Sequence, residues 1–174
     1  MKRIISIDPS LRSTGVYCVG KLYTIATPAE KGINNTNEAL ENILFDIRSF
    51  VIGHKPDLCL IEDYAHGARG NAVTTIAEVK GIIKSVMFDS GIPVIVVNIS
   101  VWKDVMAFNM PKKGKGWRRN YLKRGTNKAG GALEFSSPDE VDAFLIYRAV
   151  MAIVNVGPRT DGQRNLLQEV KKWL

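Results

Sequence analysis

The 174-residue chain has little of what many hydrolytic and redox centres are built from. It holds two cysteines and two histidines, too few for a disulfide scaffold or a zinc cluster of Cys and His. Cys18 and Cys59 lack CxxC spacing and each lies in an apolar, strand-like segment, so both read as reduced core thiols. His54 reads as a helix-end residue. No window approaches 18 uncharged apolar residues, which excludes a membrane-spanning helix, and Met1-Lys2-Arg3-Ile4-Ile5-Ser6-Ile7-Asp8 meets an acid too soon for the apolar stretch of a signal peptide. The expectation is a cytoplasmic protein that makes no use of a membrane. A further absence is local: between Val105 and Leu133 there is no acidic residue.

That gap is where the chain keeps its positive charge. Lys112, Lys113, Lys115, Arg118, Arg119, Lys123, Arg124 and Lys128 all fall in it, and the other 16 of the 24 basic residues face 17 acidic ones. The excess of +7 therefore belongs to one segment, about 109–131, and the rest is near neutral. Trp117 and Tyr121 are interleaved with the charges, and five glycines predict a mobile stretch. Phosphate contact combined with base stacking is the reading this pattern favours over a merely solvated charge run.

With 45% apolar residues, the chain can bury one substantial core, and residues 1–174 read as a single domain. Periodicity predicts a strand at 3–7 and two more at 15–19 and 22–26, joined by a hairpin around Gly20-Lys21. A helix follows over 37–52, then a strand at 58–61, a helix over 71–89 and an apolar strand at 94–97. Ser100 is placed to cap a short helix through Met106. Ser137-Pro138-Asp139 reads as a cap, a first-turn proline and an acid opening a helix to about Val154. A C-terminal helix over 161–174 should pack Leu166, Leu167, Val170 and Trp173 on one face.

Four carboxylates stand where they are expensive. Asp8 ends the run Ile4–Ile7, Glu62 ends Leu58–Ile61, and Asp139 and Asp142 open an apolar helix. An acid at the tip of a buried strand loses hydration unless a cation compensates, so three separate segments doing this together point to a metal site of oxygen ligands. Magnesium or manganese is the natural candidate.

Three antiparallel strands, a helix and then parallel strands with helices make an α/β fold, a mixed sheet with helices on both faces. This order is similar to the ribonuclease H-like arrangement, whose active-site acids come from the first strand, the end of the fourth and a late helix. Within that class, Ile4-Ile5-Ser6-Ile7-Asp8-Pro9-Ser10-Leu11-Arg12-Ser13-Thr14-Gly15 resembles the opening of RuvC-type Holliday junction resolvases. Leu60-Ile61-Glu62 with Asn71-Ala72 and Gly81 resembles their second motif, Pro93-Val94 with Lys103 their third region, and Pro138-Asp139-Glu140-Val141-Asp142-Ala143 their final acidic motif. The resemblance covers about residues 1–155.

What it implies is a crossover junction endodeoxyribonuclease: a structure-selective DNA endonuclease that resolves Holliday junctions, and other branched DNA, by symmetric two-metal hydrolysis. Asp8 would bridge two Mg2+ ions per active site, with Mn2+ able to substitute, and Glu62, Asp139 and Asp142 would complete the ligands. Ions about 4 Å apart can activate a water and stabilise the leaving oxygen without any histidine. Lys103 matches a catalytic basic residue near the scissile phosphate. Tyr64, Arg69 and Trp117 join the eight basic residues of the segment as expected DNA contacts. Tyr64 stands one position before the family's stacking aromatic, where this chain has Ala65; it either stacks on a base in a shifted register or packs in the core. Asp63 and Glu140 read as bystanders. The resemblance further implies a homodimer joined through the helix at about 72–87, with Thr74, Ile76, Ala77, Val79, Ile82 and Ile83 as its surface. A helicase partner cannot be named. The chain's size suits a small cytoplasmic or virus-encoded enzyme. A ribonuclease H-like nuclease acting on RNA or RNA:DNA hybrid, and a non-catalytic nucleic-acid-binding module, are the competing readings.

Overall fold

Five strands alternate their side chains between two cores, and that alternation decides where every later feature sits. The computed structural model describes residues 2–18, 20–26, 36–63, 71–107 and 135–174. Its strands are β1 (Ile4–Asp8), β2 (Ser13–Cys18), β3 (Lys21–Ala26), β4 (Leu58–Glu62) and β5 (Val94–Val97). The helices are α1 (Thr36–His54), α2 (Asn71–Asp89), α3 (Ile99–Ala107), α4 (Pro138–Val156) and α5 (Asp161–Lys171). The sheet order is β3-β2-β1-β4-β5, with β1, β2 and β3 antiparallel and β1, β4 and β5 parallel. The α/β fold expected from the sequence, ribonuclease H-like with helices on both faces, is the fold observed.

Because successive strand residues point to opposite faces, Ile5, Ile7, Val16, Cys18, Cys59 and Ile61 join one core, which α1 and α2 cover. Ile4, Tyr17, Leu58 and Leu60 face the other core, built with Trp102 of α3, the buried face of α4, and Leu166 and Val170 of α5. Helix α4 is apolar nearly all round because it lies against the sheet and between neighbouring helices; Val141, Ala143, Leu145, Ile146 and Ala149 are completely buried. Ser6 on β1 donates its hydroxyl to the Ala143 carbonyl at 2.7 Å, which ties α4 to the centre of the sheet.

Several local expectations change. Strand β2 starts at Ser13, two residues earlier than its periodicity suggested. Helix α3 begins at Ile99, so Ser100 is inside it, and the cap is Asn98, whose Oδ1 accepts from the Ser100 N–H at 2.9 Å. Helix α5 ends at Lys171, and Trp173 is 43% exposed, so it does not share the buried face of Leu166 and Val170. On α2, Val79 and Ile83 lie wholly inside the core and are not available to a partner, whereas Thr74 is exposed and Ile76, Ala77 and Ile82 are half-buried. The segment at about 109–131 lies outside the described residues.

Candidate active site

Strand parity places the first two acids. Asp8 is in phase with Ile4 and Ser6, and Glu62 with Leu58 and Leu60, so both side chains belong to the sheet face that α3 and α4 cover. The strands are parallel neighbours with Ile7 opposite Ile61, which brings Asp8 and Glu62 side by side at their C-terminal ends. Crevices at the carboxyl ends of parallel strands are where open α/β sheets bind ligands.

The third strand position is a space requirement. Gly15 on β2 pairs with Asp8, and a Cβ there would lie 2.1 Å from both the carbonyl carbon and the carbonyl oxygen of Asp139, and 2.5 Å from the amide nitrogen of Glu140. Only glycine lets the first turn of α4 rest on the strand beside Asp8. That contact delivers Asp139 and Asp142, which a spacing of three puts on one helical face.

The helix start is held in place by polar groups as well. Ser137 caps α4 by accepting from the Glu140 N–H at 3.2 Å. The Glu140 carboxylate accepts from the Ser136 amide at 2.6 Å, from the Ser136 hydroxyl at 2.7 Å and from the Thr24 hydroxyl of β3. It is a variant of the capping box, with the acid reaching one residue further back and across to the sheet. Burial pushes the Glu140 carboxyl up, but these hydrogen bonds outweigh it and the group lies below its ordinary value. Glu140 is thus an anchor of the site, not the bystander expected.

The electrostatics show three of the acids acting on the fourth, Asp8. Burial, at 7% exposure, raises Asp8 well above the usual carboxylate range. A hydrogen bond with Glu62 adds to this, as do the charges of Glu62, Asp142 and Asp139. Asp142 is 1% exposed, while Glu62 and Asp139 are half-buried. Glu62 also accepts the indole N–H of the fully buried Trp102 on its Oε1 at 3.0 Å. The Lys103 ammonium sits 5.0 Å from the centre of that same indole ring. Beyond Glu62, Asp63 pairs with the buried Lys80 of α2 at 2.9 Å, so Asp63 has a structural role.

In kind, the donor set suits a hard divalent cation: oxygen atoms only, acidic, and mutually destabilised without positive charge. In position it is not closed. Among the described residues, no three His, Cys, Asp or Glu side chains converge tightly enough as they stand to hold one ion. Tyr64, Arg69, Lys112, Lys113, Lys115, Trp117, Arg118, Arg119, Lys123, Arg124 and Lys128, the expected DNA contacts, all lie outside the described residues.

Sequence reasoning missed Trp102, Lys80 and the anchoring role of Glu140. A signal existed for two of them. A tryptophan inside an apolar helix must find an acceptor for its N–H, and Ser137-x-x-Glu140 is a capping-box spacing.

The sheet order, the acid-bearing strand ends and the late acidic helix define a ribonuclease H-like fold of the RuvC type. The chain is similar to T. thermophilus RuvC in complex with a Holliday junction substrate, at 13% identity over 90% of this chain and 97% of that one, with a TM-score of 0.70. It is also similar to a second Thermus thermophilus RuvC structure, at 16% identity over 89% and 96%, TM-score 0.66. The yeast mitochondrial Holliday junction resolvase matches at 14% identity over 99% of this chain and 85% of that one, TM-score 0.58. No protein-family model matches the chain, and no curated protein matches it in sequence. At these identities the likeness is one of fold, and the site must argue for itself.

Proposed function

We propose that this protein is a magnesium-dependent, structure-selective DNA endonuclease that hydrolyses phosphodiesters in branched DNA, the four-way junction above all. One observation carries the reading: Asp8 is buried at a strand end among Glu62, Asp139 and Asp142, with its carboxyl pushed far up by burial and by those three neighbours. A binding module or a structural protein gains nothing from acids arranged to repel one another, whereas a site that takes up cations does. Solved structures of similar fold include a RuvC with a Holliday junction substrate, which supports the substrate class.

Asp8, Glu62, Asp139 and Asp142 would hold the metal. When bound, two divalent ions supply an activated water and charge for the departing oxygen; magnesium fits as the resident ion, with manganese as its substitute. The chain's own residues do the rest. The Trp102–Glu62 bond holds α3 against the end of β4 and the Ser6–Ala143 bond holds α4 against β1, and Lys103, seated on the Trp102 ring, offers a positive charge for a phosphate beside Glu62. The basic segment at about 109–131 supplies the attraction that a cluster of acids would deny to DNA. A junction of two-fold symmetry needs two such sites, so the working unit is a homodimer, and a cytoplasmic location suits it.

The test is a competition among four-way junction, flap, RNA:DNA hybrid and linear duplex, with cut sites mapped. Paired nicks in the junction that need magnesium and vanish in Asp8→Asn are expected. Preferential cutting of the hybrid, or junction cutting that survives Asp8→Asn, would overturn the proposal.

A further inference from the structure

Trp102 is completely buried, and nothing about packing requires that its polar edge meet a functional acid. Yet its indole N–H donates to Glu62 Oε1 at 3.0 Å. Its ring face carries the Lys103 ammonium at 5.0 Å. One rigid side chain thereby touches the acid that ends β4 and the basic group expected at the scissile phosphate. The backbone on both sides of this contact is fixed: β4 is hydrogen-bonded to β1 and β5 in parallel register, and Asp63, next to Glu62, donates its amide to the Val97 carbonyl at 2.9 Å. Helix α3 starts one residue after β5 with Asn98 as its cap. The distance from β5 to Trp102 is therefore short and stiff, so the indole has little freedom to leave the carboxylate.

We infer that Trp102 is a positioning residue for the metal site: its N–H fixes the rotation of the Glu62 carboxylate, and its ring holds Lys103 over the same place. The inference rests on the reading of Glu62 as a metal ligand. A carboxylate free to rotate must be ordered each time an ion binds, and outer partners that remove this freedom typically strengthen metal binding by 10–100-fold. An indole is suited to the task. It offers a single donor and no acceptor, so it cannot itself compete for the cation.

The experiment is a titration with Mn2+ alone, followed by electron paramagnetic resonance, on the full chain and on Trp102→Phe, Glu62→Gln and Trp173→Phe. Trp102→Phe keeps an aromatic ring for Lys103 and for the core but loses the donor. It should bind Mn2+ about tenfold more weakly while its junction binding in EDTA is unchanged, and Trp173→Phe, at an exposed tryptophan, should bind Mn2+ like the unaltered protein. Mn2+ affinity in Trp102→Phe equal to that of the unaltered protein overturns the inference. If Glu62→Gln also leaves Mn2+ affinity unchanged, the ligand reading fails together with it, which separates the two failures. A purely structural tryptophan would lower thermal stability without changing metal affinity in the folded protein. Should Trp102→Phe not fold, the unaltered protein still decides: its Trp102 indole N–H resonance, assigned with Trp117→Phe and Trp173→Phe, should shift on adding Mg2+, and a resonance that stays in place overturns the inference.

Discussion

Gly15 and Asp139 meet backbone to backbone, so closely that a Cβ on Gly15 would stand 2.1 Å from the Asp139 carbonyl carbon. The contact joins β2 to the first turn of α4 at the level of Asp8, and it sets how near the helix-borne acids come to the strand-borne ones. Gly15→Ala must push the helix start away. Overpacking of this kind costs about 1–3 kcal/mol, and since the clashing atoms are main chain on both sides, the upper part of that range is expected. Urea unfolding should show the loss, and junction cleavage should fall further than stability does because Asp139 and Asp142 move with the helix.

Asp8 gives a pH-dependent signature. Its carboxyl in the folded protein lies well above the roughly 3.9 of an unfolded aspartate. Its contribution to stability is therefore fully present below the unfolded value and is lost as pH rises through the folded one. At pH 7.5 in EDTA the protein carries this burden, and Asp8→Asn does not. The variant should melt at a higher temperature there, and the gap should close as the solution is acidified. Magnesium should reverse the order by stabilising only the protein with Asp8, by about 2.7 kcal/mol at a hundred times Kd. Thermal scans in EDTA and in magnesium read both effects.

Glu140 behaves in the opposite sense. Its hydrogen bonds hold the carboxyl below its ordinary value, so its contribution is present above the unfolded value and lost as pH falls through the folded one. Glu140→Ala removes charge-assisted bonds to Ser136 and Thr24 and should cost about 2–3 kcal/mol at neutral pH. Below pH 4 the difference should shrink. Chemical denaturation at two pH values would measure this.

Lys80 and Asp63 form an asymmetric pair, the ammonium 2% exposed and the carboxylate 30%. Asp63→Asn leaves a buried positive charge without that carboxylate and should cost about 3 kcal/mol, the lower end of the range for broken buried pairs because water reaches Asp63. Lys80→Met removes the buried charge and keeps an apolar stem, while the remaining acid can hydrate. It should cost less. Equal losses in equilibrium unfolding would contradict this account of the pair.

The sequence by itself determined the strands, the two faces of the sheet and the four acids. Hydrophobic alternation along β1 and β4, and acids at the ends of apolar runs, are local patterns that need no partner to be read. The antiparallel start followed by parallel strands was legible for the same reason. Only the tertiary structure decided what holds the acids together. The Gly15–Asp139 contact spans 124 positions of chain, the Trp102–Glu62 bond 40 and the Thr24–Glu140 bond 116. Such pairings leave no period in the sequence, because they arise where separate elements touch and not from the repeat of any one element. Exposure at the edges was equally hidden: Trp173 follows the spacing of a buried helix face yet stands in solvent, since α5 ends at Lys171 before its last turn can reach the core. The rise of the Asp8 carboxyl also belongs to the folded state alone, because burial and three neighbouring acids act on it only once β1, β4 and α4 converge.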